Sequence, residues 1–425
     1  MGLRLLHTSD WHLGKKLFKT DRTFEQKLFL DWLIDLIKDE NIHGLLVCGD
    51  VFDCPLPPAS ALELYFNFLS RLTSQTTCKI YIIPGNHDSG KFLGAPSGFL
   101  KKHNIHISGN LLTPENDNFQ KSHLATIEEN GIKANMVFLP YFRTHEILNL
   151  YENFKANGHL SKIEEDEDIF LPTLETFFKH ILQTGESQAC NILLAHHLFG
   201  GFEMSGSEQM ISLSSLESIP FSILENHFDY AALGHIHKTM ELKKSSPNAH
   251  YCGAPMAFRF NEKGQKHVIL LDIDNVENKH RIQTRKIPIP VSRAIVSLKM
   301  NADNHQDICE KFLATLQDSH LPPLVEIILE LAKPDTELTD RIREKIHSSN
   351  ADLISLSTIF PQNNDIKPDH EDKLLNNLKN PKQLFREYYT NKYPDTDSVP
   401  DDIIHDFMDL LQYSNDIRSN EGALM

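Results

Sequence analysis

The sequence has little of what marks several protein classes. No apolar run approaches the roughly 20 residues of a membrane-spanning helix, so no membrane partner is expected. The six cysteines are scattered and form no C-x-x-C pair, which favours a reducing, cytoplasmic location. Basic residues are outnumbered: 42 lysines and arginines stand against 58 aspartates and glutamates, a net charge of −16. This balance argues against a broad basic surface for nucleic acid, but not against phosphate chemistry aided by bound cations.

The 425 residues predict more than one domain. The front half alternates short, fully apolar runs ("LRLLH", "GLLVC", "KIYII", "NILLA", "YAAL") with amphipathic helical stretches, which is typical of buried α/β layers. The stretch "IPIPVSRA" indicates a domain edge. We therefore predict an α/β domain over 1–288, a small α+β module over 289–360, a polar linker over 361–380 and a helical tail over 381–425.

Each of these five apolar runs is followed closely by aspartate, asparagine or histidine. Because the carboxyl ends of strands in an open α/β sheet line one crevice, these side chains are expected to meet. Glycines stand just before three of the groups, at Gly49, Gly85 and Gly234, where backbone approaches closely or turns sharply. The polar residues are Asp10, His12, Asp50, Asp53, Asn86, His87, Asp88, His196, His197, His235 and His237.

This residue set predicts a metal centre. Oxygen and nitrogen donors without sulfur suit Mn²⁺, Fe²⁺ or Zn²⁺. The donors are too many for one tetrahedral ion, and two ions about 3.5–4 Å apart with a shared carboxylate would use them. A lone histidine after a strand is usually an ordinary surface or core residue. The recurrence at five strand ends argues against that interpretation here.

The motifs "HTSDWHLG", "GDVFD", "GNHDSG" and "ALGHIHK" resemble those of the calcineurin-like metallophosphoesterases. The stretches "AHHLFGGFEMSGSE", "YCGAPMAFRFNE" and "LFREYY" are similar to the nuclease subunits of bacterial SbcCD complexes, relatives of double-strand-break repair nucleases. The resemblance implies a β-sandwich flanked by helices, with a small α+β capping domain that faces DNA and a C-terminal helical tail.

The resemblance also implies the ligand sets, with Mn²⁺ as the favoured ion. One ion would be held by Asp10, His12, Asp50 and His237. The other would be held by Asp50, Asn86, His196 and His235. His197 is an open alternative to His196, which is preferred because it directly follows the apolar strand.

Three further residues are candidates for catalysis. His87, beside Asn86, would stabilise the transition state or protonate the leaving oxygen. A carboxylate of Asp53 or Asp88 would orient its ring. The alternative for both aspartates is a helix N-cap.

The family pattern implies ATP-dependent DNA cleavage, as an exonuclease on duplex ends and an endonuclease on hairpins or single strands. The expected partners are DNA, an SbcC-like ABC ATPase bound by the tail, and a second copy of the chain within a heterotetramer. The alternative for the apolar stripes of the tail is docking on the chain's own body. The helix over 62–72 is the candidate dimer contact, or is buried within the monomer.

Two rival functions remain. One is a small-molecule phosphodiesterase or phosphatase, and the other is a non-catalytic scaffold that keeps the fold. A strand through "MAFRFNE" would place Arg259 and Asn261 on one face as a DNA-facing edge. The alternative for this stretch is core phenylalanines, Phe258 and Phe260, with a solvated arginine.

Overall fold

A computed structural model of the chain describes residues 2–161, 169–200, 218–242, 247–262, 264–277, 279–316 and 321–360, and also Phe385, Tyr389 and Ile404. The chain divides into two compact units, Met1–Leu329 with Pro334–Thr358, and Glu330–Lys333 with Ile359–Met425. The sites discussed below lie in the first unit. The predicted linker falls outside the described residues, and so does nearly all of the predicted tail. Within the described ranges, no helix is long and apolar enough to cross a membrane.

The described ranges contain β-strands from Leu3 to Ile359. They are β1 (Leu3–Thr8), β2 (Gly44–Cys48), β3 (Lys79–Ile83), β4 (Ile105–Ile107), β5 (Leu124–Glu129), β6 (Ile132–Leu139), β7 (Cys190–Ala195), β8 (Leu198–Gly200), β9 (Ser218–Pro220), β10 (Tyr230–Leu233), β11 (Met240–Leu242), β12 (Asn248–Tyr251), β13 (His267–Val276), β14 (Lys279–Pro288), β15 (Ile295–Asn301), β16 (Leu324–Glu330) and β17 (Asp352–Ile359).

The α-helices of the same ranges alternate with the strands. They are α1 (Thr23–Asp39), α2 (Ala59–Gln75), α3 (Gly90–Gly94), α4 (Ser97–Leu100), α5 (Phe119–His123), α6 (Thr144–Ala156), α7 (Phe170–Leu182), α8 (His305–Ala314) and α9 (Thr336–His347).

Two six-stranded sheets form the main body. The first has the order β14-β13-β1-β2-β3-β4, and the second has the order β11-β12-β10-β7-β6-β5. The centre of each sheet is parallel: β1 pairs with β2 and β2 with β3, while β6 and β10 both pair with β7. The outer strands β13, β14, β5 and β11 pair antiparallel with their neighbours. The carboxyl ends of the central strands therefore point in one direction within each sheet.

Three apolar layers explain why these segments fold this way. Inward residues of both sheets, such as Leu46 and Ile192, form one core between the sheets. The outer face of the first sheet packs on α1 and α2, and that of the second packs on α6 and α7. Because both faces of each sheet are covered, β2 is buried at every position. The predicted α/β sandwich flanked by helices is confirmed.

Downstream, β15, β16 and β17 form a separate three-stranded sheet. The helices α8 and α9 alternate with these strands, so the α+β elements predicted within 289–360 are present. A capping role for them stays a prediction.

One strand prediction is wrong. The strand expected through "MAFRFNE" does not form, because this stretch lies between β12, which belongs to the second sheet, and β13, which belongs to the first. The chain between them crosses from one sheet to the other, and its described residues, 252–262 and 264–266, are turn and irregular structure. Arg259 and Asn261 therefore do not share a strand face, although Arg259 is exposed and Phe258 is buried as the alternative expected.

Candidate metal centre

The predicted ligands stand at the carboxyl ends of five parallel strands. Asp10 and His12 follow β1, Asp50 follows β2, and Asn86 follows β3, all in the first sheet. His196 follows β7 directly, and His235 and His237 follow β10, both in the second sheet. The site is thus assembled from two neighbouring sheets, and the structure brings the seven predicted ligands together.

The first predicted set is compact. The Nε2 atoms of His12 and His237 lie 3.1 Å apart, and His12 Nε2 lies 3.5 Å from Asp50 Oδ2. Donor atoms of Asp10, His12 and His237 all lie within 4.8 Å of one another. Two imidazole nitrogens that face each other at this spacing are better placed to bind one cation together than to form a hydrogen bond with each other.

The second predicted set adjoins the first. His196 Nε2 lies 3.3 Å from Asp50 Oδ2 and 3.2 Å from Asn86 Oδ1, and His235 Nδ1 lies 3.1 Å from the same Asn86 oxygen. Asp50 Oδ2 is therefore close to one histidine of each set, which is where a bridging carboxylate belongs. The other Asp50 oxygen accepts the His87 backbone N–H at 2.9 Å. The donor set fits two divalent ions that prefer mixed nitrogen and oxygen ligands.

The two adjacent histidines after β7 have different surroundings. His196 faces Asp50, and its Nδ1 lies 2.8 Å from the Cys48 carbonyl oxygen, which fixes the ring. The ring of His197 stacks on Tyr141 at 5.1 Å, and its Nε2 lies 3.3 Å from the Pro140 carbonyl oxygen. Burial lowers the pKa of His197 to about 3. His196, and not His197, therefore faces the other predicted ligands.

The electrostatics of the site favour cations. Burial lowers the pKa of His196, but the charges of Asp50 and Asp10 outweigh it and raise that pKa to about 9. Burial raises the pKa of Asp50, and His196 and His12 outweigh that effect and hold it well below its usual range. The raised pKa of His196 reflects the negative potential that the carboxylates of Asp50 and Asp10 create around it, which is the potential a divalent cation neutralises.

The glycines act as predicted. A Cβ on Gly49 would overlap the ring of His196, and a Cβ on Gly85 would overlap the Asp50 carboxylate. A Cβ on Gly234 would overlap the Cys48 carbonyl oxygen. The prediction of close backbone approach at these three positions is confirmed, because His196, Asp50 and the Cys48 carbonyl group occupy the space that side chains would need.

Backbone strain is concentrated at the same place. Asp10, His12, Asp50 and His235 all have positive φ, between 46° and 94°. A residue other than glycine in this region costs about 1–3 kcal/mol and persists where the surroundings enforce it. Four such residues among seven predicted ligands indicate a site built for function at the expense of stability.

His87 is held by the chain after β2. Its Nδ1 lies 2.9 Å from the backbone carbonyl oxygen of Asp53. A carbonyl oxygen only accepts, so Nδ1 carries a proton and Nε2 carries one only in the cationic ring. The prediction that a carboxylate orients this ring is wrong, because the Asp53 carboxylate lies 3.4 Å from His12 Nδ1 and 2.5 Å from Lys15 Nζ instead.

Asp88 has neither predicted role. Its carboxylate accepts the backbone N–H groups of Val51, Phe52 and Gly85 at 2.9–3.0 Å, and α3 is capped by Ser89. It thus ties the loop after β2 to the loop after β3. Burial and the charge of Asp50 raise the pKa of Asp88 to about 7, although the three amides oppose the shift.

Two residues of the site were missed from the sequence. Glu262 Oε1 lies 3.4 Å from His237 Nδ1, and its Oε2 accepts a hydrogen bond from Lys266 at 2.9 Å. Burial raises the pKa of Glu262, and His237 and Lys266 outweigh it and lower it to about 2. Lys15, which holds the Asp53 carboxylate, is the other. A carboxylate behind a ligand histidine is a common way to orient the ring, but Glu262 is 25 residues from His237, so only the fold reveals the pair.

Comparison with known proteins gives consistent matches. A family model described as calcineurin-like phosphoesterase matches residues 3–239. The SbcD subunit of nuclease SbcCD from Bacillus subtilis (strain 168) is 30% identical over 273 residues, which cover 64% of this chain and 66% of that protein. The protein of the same name from Escherichia coli (strain K12) is 27% identical over 307 residues, covering 70% and 71%. That of Rhodobacter capsulatus is 27% identical over 375 residues, covering 85% and 88%. The resemblance indicated by the motifs is confirmed.

Proposed function

Since the chain belongs to the calcineurin-like phosphoesterase family, we propose that it hydrolyses DNA phosphodiester bonds as the nuclease subunit of an SbcCD-type complex. The observation that carries the proposal is the convergence of seven donor side chains, Asp50 at their centre, from the ends of five strands. Its Oδ2 lies 3.5 Å from His12 Nε2 and 3.3 Å from His196 Nε2. The similarity to the SbcD subunits of three bacteria supports DNA as the substrate.

The ligand sets are those predicted above, with Mn²⁺ as the favoured ion and Asp50 common to both. Two divalent ions, when bound, would neutralise the phosphate and make a water nucleophilic near neutral pH. The chain holds its donors in fixed positions for this purpose. Asp10 accepts hydrogen bonds from the Ser9 hydroxyl at 2.5 Å and from the His235 backbone N–H at 3.1 Å. Glu262 fixes His237, and the Cys48 carbonyl fixes His196.

His87 is the proposed general acid. Its Nδ1 is occupied by the Asp53 carbonyl, and its Nε2 has no partner among the described residues, so this nitrogen is available to substrate. In the cationic ring, Nε2 donates its proton to the leaving oxygen as the P–O bond breaks and the water oxygen bonds to phosphorus. The Asp53 carboxylate contributes indirectly to the site, through its contacts with His12 and Lys15.

The partners follow from the same similarity. A chain of net charge −16 does not hold DNA over a broad surface by itself. We propose that an SbcC-like ABC ATPase binds the tail over 381–425 and supplies that grip, with 289–360 as a DNA-facing cap. ATP-dependent exonuclease action on duplex ends and endonuclease action on hairpins belong to this proposal, and so does a cytoplasmic location.

We also propose a homodimer through α2. This helix buries Tyr65, Phe68, Leu69 and Leu72 against its own body. On another face, Phe66 is 44% exposed. One face of α2 therefore packs within the monomer, and Phe66 on another face is available for contact with a second copy of the chain.

The test is cleavage of an end-labelled DNA hairpin with Mn²⁺, with and without the ATPase partner and ATP. His87→Ala should bind Mn²⁺ as the wild type does but cleave about 100-fold more slowly or worse, because only proton transfer is lost. His145→Ala, which removes an exposed histidine, is the matched control. If the wild type with its partner leaves DNA intact yet hydrolyses a small phosphodiester, the small-molecule alternative replaces the nuclease.

A further inference from the structure

A short turn beside the metal centre displays an aromatic ring to solvent. Leu17 and Thr20 exchange two backbone hydrogen bonds of 3.1 and 2.9 Å, and Phe18 stands in the turn between them. Phe18 is 61% exposed and has a φ of 53°. An exposed phenylalanine on strained backbone contributes little to the hydrophobic core. We therefore expect the role of Phe18 to lie in ligand binding, and not in stability.

Phe18 forms one wall of a cavity of about 400 Å³. Phe258 and Phe260 form other walls, and the rings of Phe18 and Phe260 lie 6.2 Å apart at 47°. This volume is within the range of sites for small planar ligands. Aromatic walls offer faces on which a flat ring can stack.

The cavity adjoins the metal centre. The ring of Phe258, which lines the cavity, lies 5.2 Å from the ring of His12 and 5.8 Å from that of His237. One side chain therefore separates the cavity from the predicted ligands. A group in the cavity would belong to the nucleotide next to the phosphate being cleaved.

The charges around the cavity distinguish a base from a phosphate. Lys16 and Arg259 line it, are exposed, and form no ion pair with any described residue. Glu326 also lines it, and its carboxylate accepts the Ser297 hydroxyl at 2.9 Å. A phosphate inside would meet this carboxylate, whereas a nucleobase offers N–H donors to it. Lys16 and Arg259 suit the backbone phosphate outside.

We propose that this cavity, the base cavity, takes an unpaired nucleobase adjacent to the scissile phosphate, stacked on Phe18 and in contact with the tilted ring of Phe260. The inference rests on the proposed nuclease function and deepens it. A base within a duplex is paired and stacked on both sides, so only a base from a hairpin loop, a frayed end or a single strand enters without first being extruded. The base cavity thereby selects unpaired nucleotides.

The test compares two hairpins, one complete and one with abasic sites at the nucleotides that flank the cleaved bond, using the full chain with its ATPase partner and Mn²⁺. Wild type should cleave the abasic hairpin about 10- to 100-fold less efficiently, the usual effect of losing one stacked base. Phe18→Ala should cleave the complete hairpin at that reduced level and show no further loss on the abasic one. Phe18→Trp should restore the preference for the complete hairpin.

Controls separate the possible failures. Phe18→Ala should hydrolyse methyl 4-nitrophenyl phosphate at the wild-type rate, since that diester carries no base. Phe99→Ala removes a comparably exposed ring, 66% accessible, outside the base cavity and should behave as wild type. If wild type cleaves DNA but Phe18→Ala keeps the full abasic penalty, the base cavity is refuted and the nuclease stands. If wild type hydrolyses only the small diester, both proposals fall.

Discussion

The buried histidine His123, at the end of α5, should make the protein less stable in weak acid. Its Nδ1 lies 3.1 Å from the Phe138 carbonyl oxygen, and the Leu112 N–H donates to its Nε2 at 3.0 Å. Because the carbonyl only accepts, Nδ1 carries the proton and the neutral ring satisfies both contacts. Burial lowers the pKa of His123 to about 4, although the Phe138 hydrogen bond opposes the shift.

The size of the effect follows from linkage. The unfolded chain binds a proton at His123 as the pH falls below 6.5, whereas the folded chain does so only near pH 4. The free energy of unfolding is therefore unaffected by this group above pH 6.5 and decreases between pH 6.5 and pH 4. At pH 5 the loss amounts to about 2 kcal/mol, a large share of the roughly 5–15 kcal/mol that stabilises a typical domain.

The assay is urea unfolding followed by tryptophan fluorescence at pH 8 and pH 5, with a chelator present so that metal binding adds no pH dependence. His123→Gln should be less stable than wild type at pH 8, because it loses a buried hydrogen bond. Between pH 8 and pH 5 it should lose about 2 kcal/mol less than wild type does. His145→Gln, at an exposed position, should keep the wild-type pH dependence. Equal losses in wild type and His123→Gln would refute the reasoning.

Two further predictions concern the metal centre. Glu262→Gln should weaken Mn²⁺ binding about 10- to 100-fold in calorimetry, because the carboxylate 3.4 Å from His237 Nδ1 no longer orients the ring; an unchanged affinity would exclude that role. Gly85→Ala should abolish high-affinity binding in the same measurement, because its Cβ would displace the Asp50 carboxylate. Gly98→Ala, where no heavy atom would lie within 4 Å of a new Cβ, is the matched control, and equal affinity in both alanine variants would contradict the packing argument.

The meeting of the predicted ligands at one place could be predicted from the sequence because it follows from the topology of the sheets. A fully apolar run that ends in aspartate or histidine indicates a central strand and the end at which its polar residue lies, as for Asp10, Asp50 and His196. That logic needs no knowledge of side-chain direction. It also identified the glycines, since a residue beside a crowded strand end has no room for a Cβ.

The orienting contacts could not be predicted, because they depend on how loops fold over the strand ends. Asp88 binds three backbone amides from two loops, and the Asp53 carbonyl, not its carboxylate, holds His87. The alternation of apolar and polar residues through "MAFRFNE" is compatible both with a strand and with an irregular connection between two sheets, so the sequence could not distinguish them. Only the pairing of β12 and β13 with different sheets distinguishes the two, and places Phe258 and Phe260 beside the site.

The division of the predicted ligands between two sheets has a consequence for heat resistance. Asp10, Asp50 and Asn86 belong to one sheet, and His196 and His235 belong to the other. A cation bound by both groups is a cross-link through the sandwich that exists only in the folded state. Binding at roughly 100 times the dissociation constant adds about 2.7 kcal/mol to the free energy of unfolding. Divalent cations should therefore raise the thermal stability of this fold. After chelation, the protein should be degraded by proteases at temperatures at which the metal-bound protein resists them.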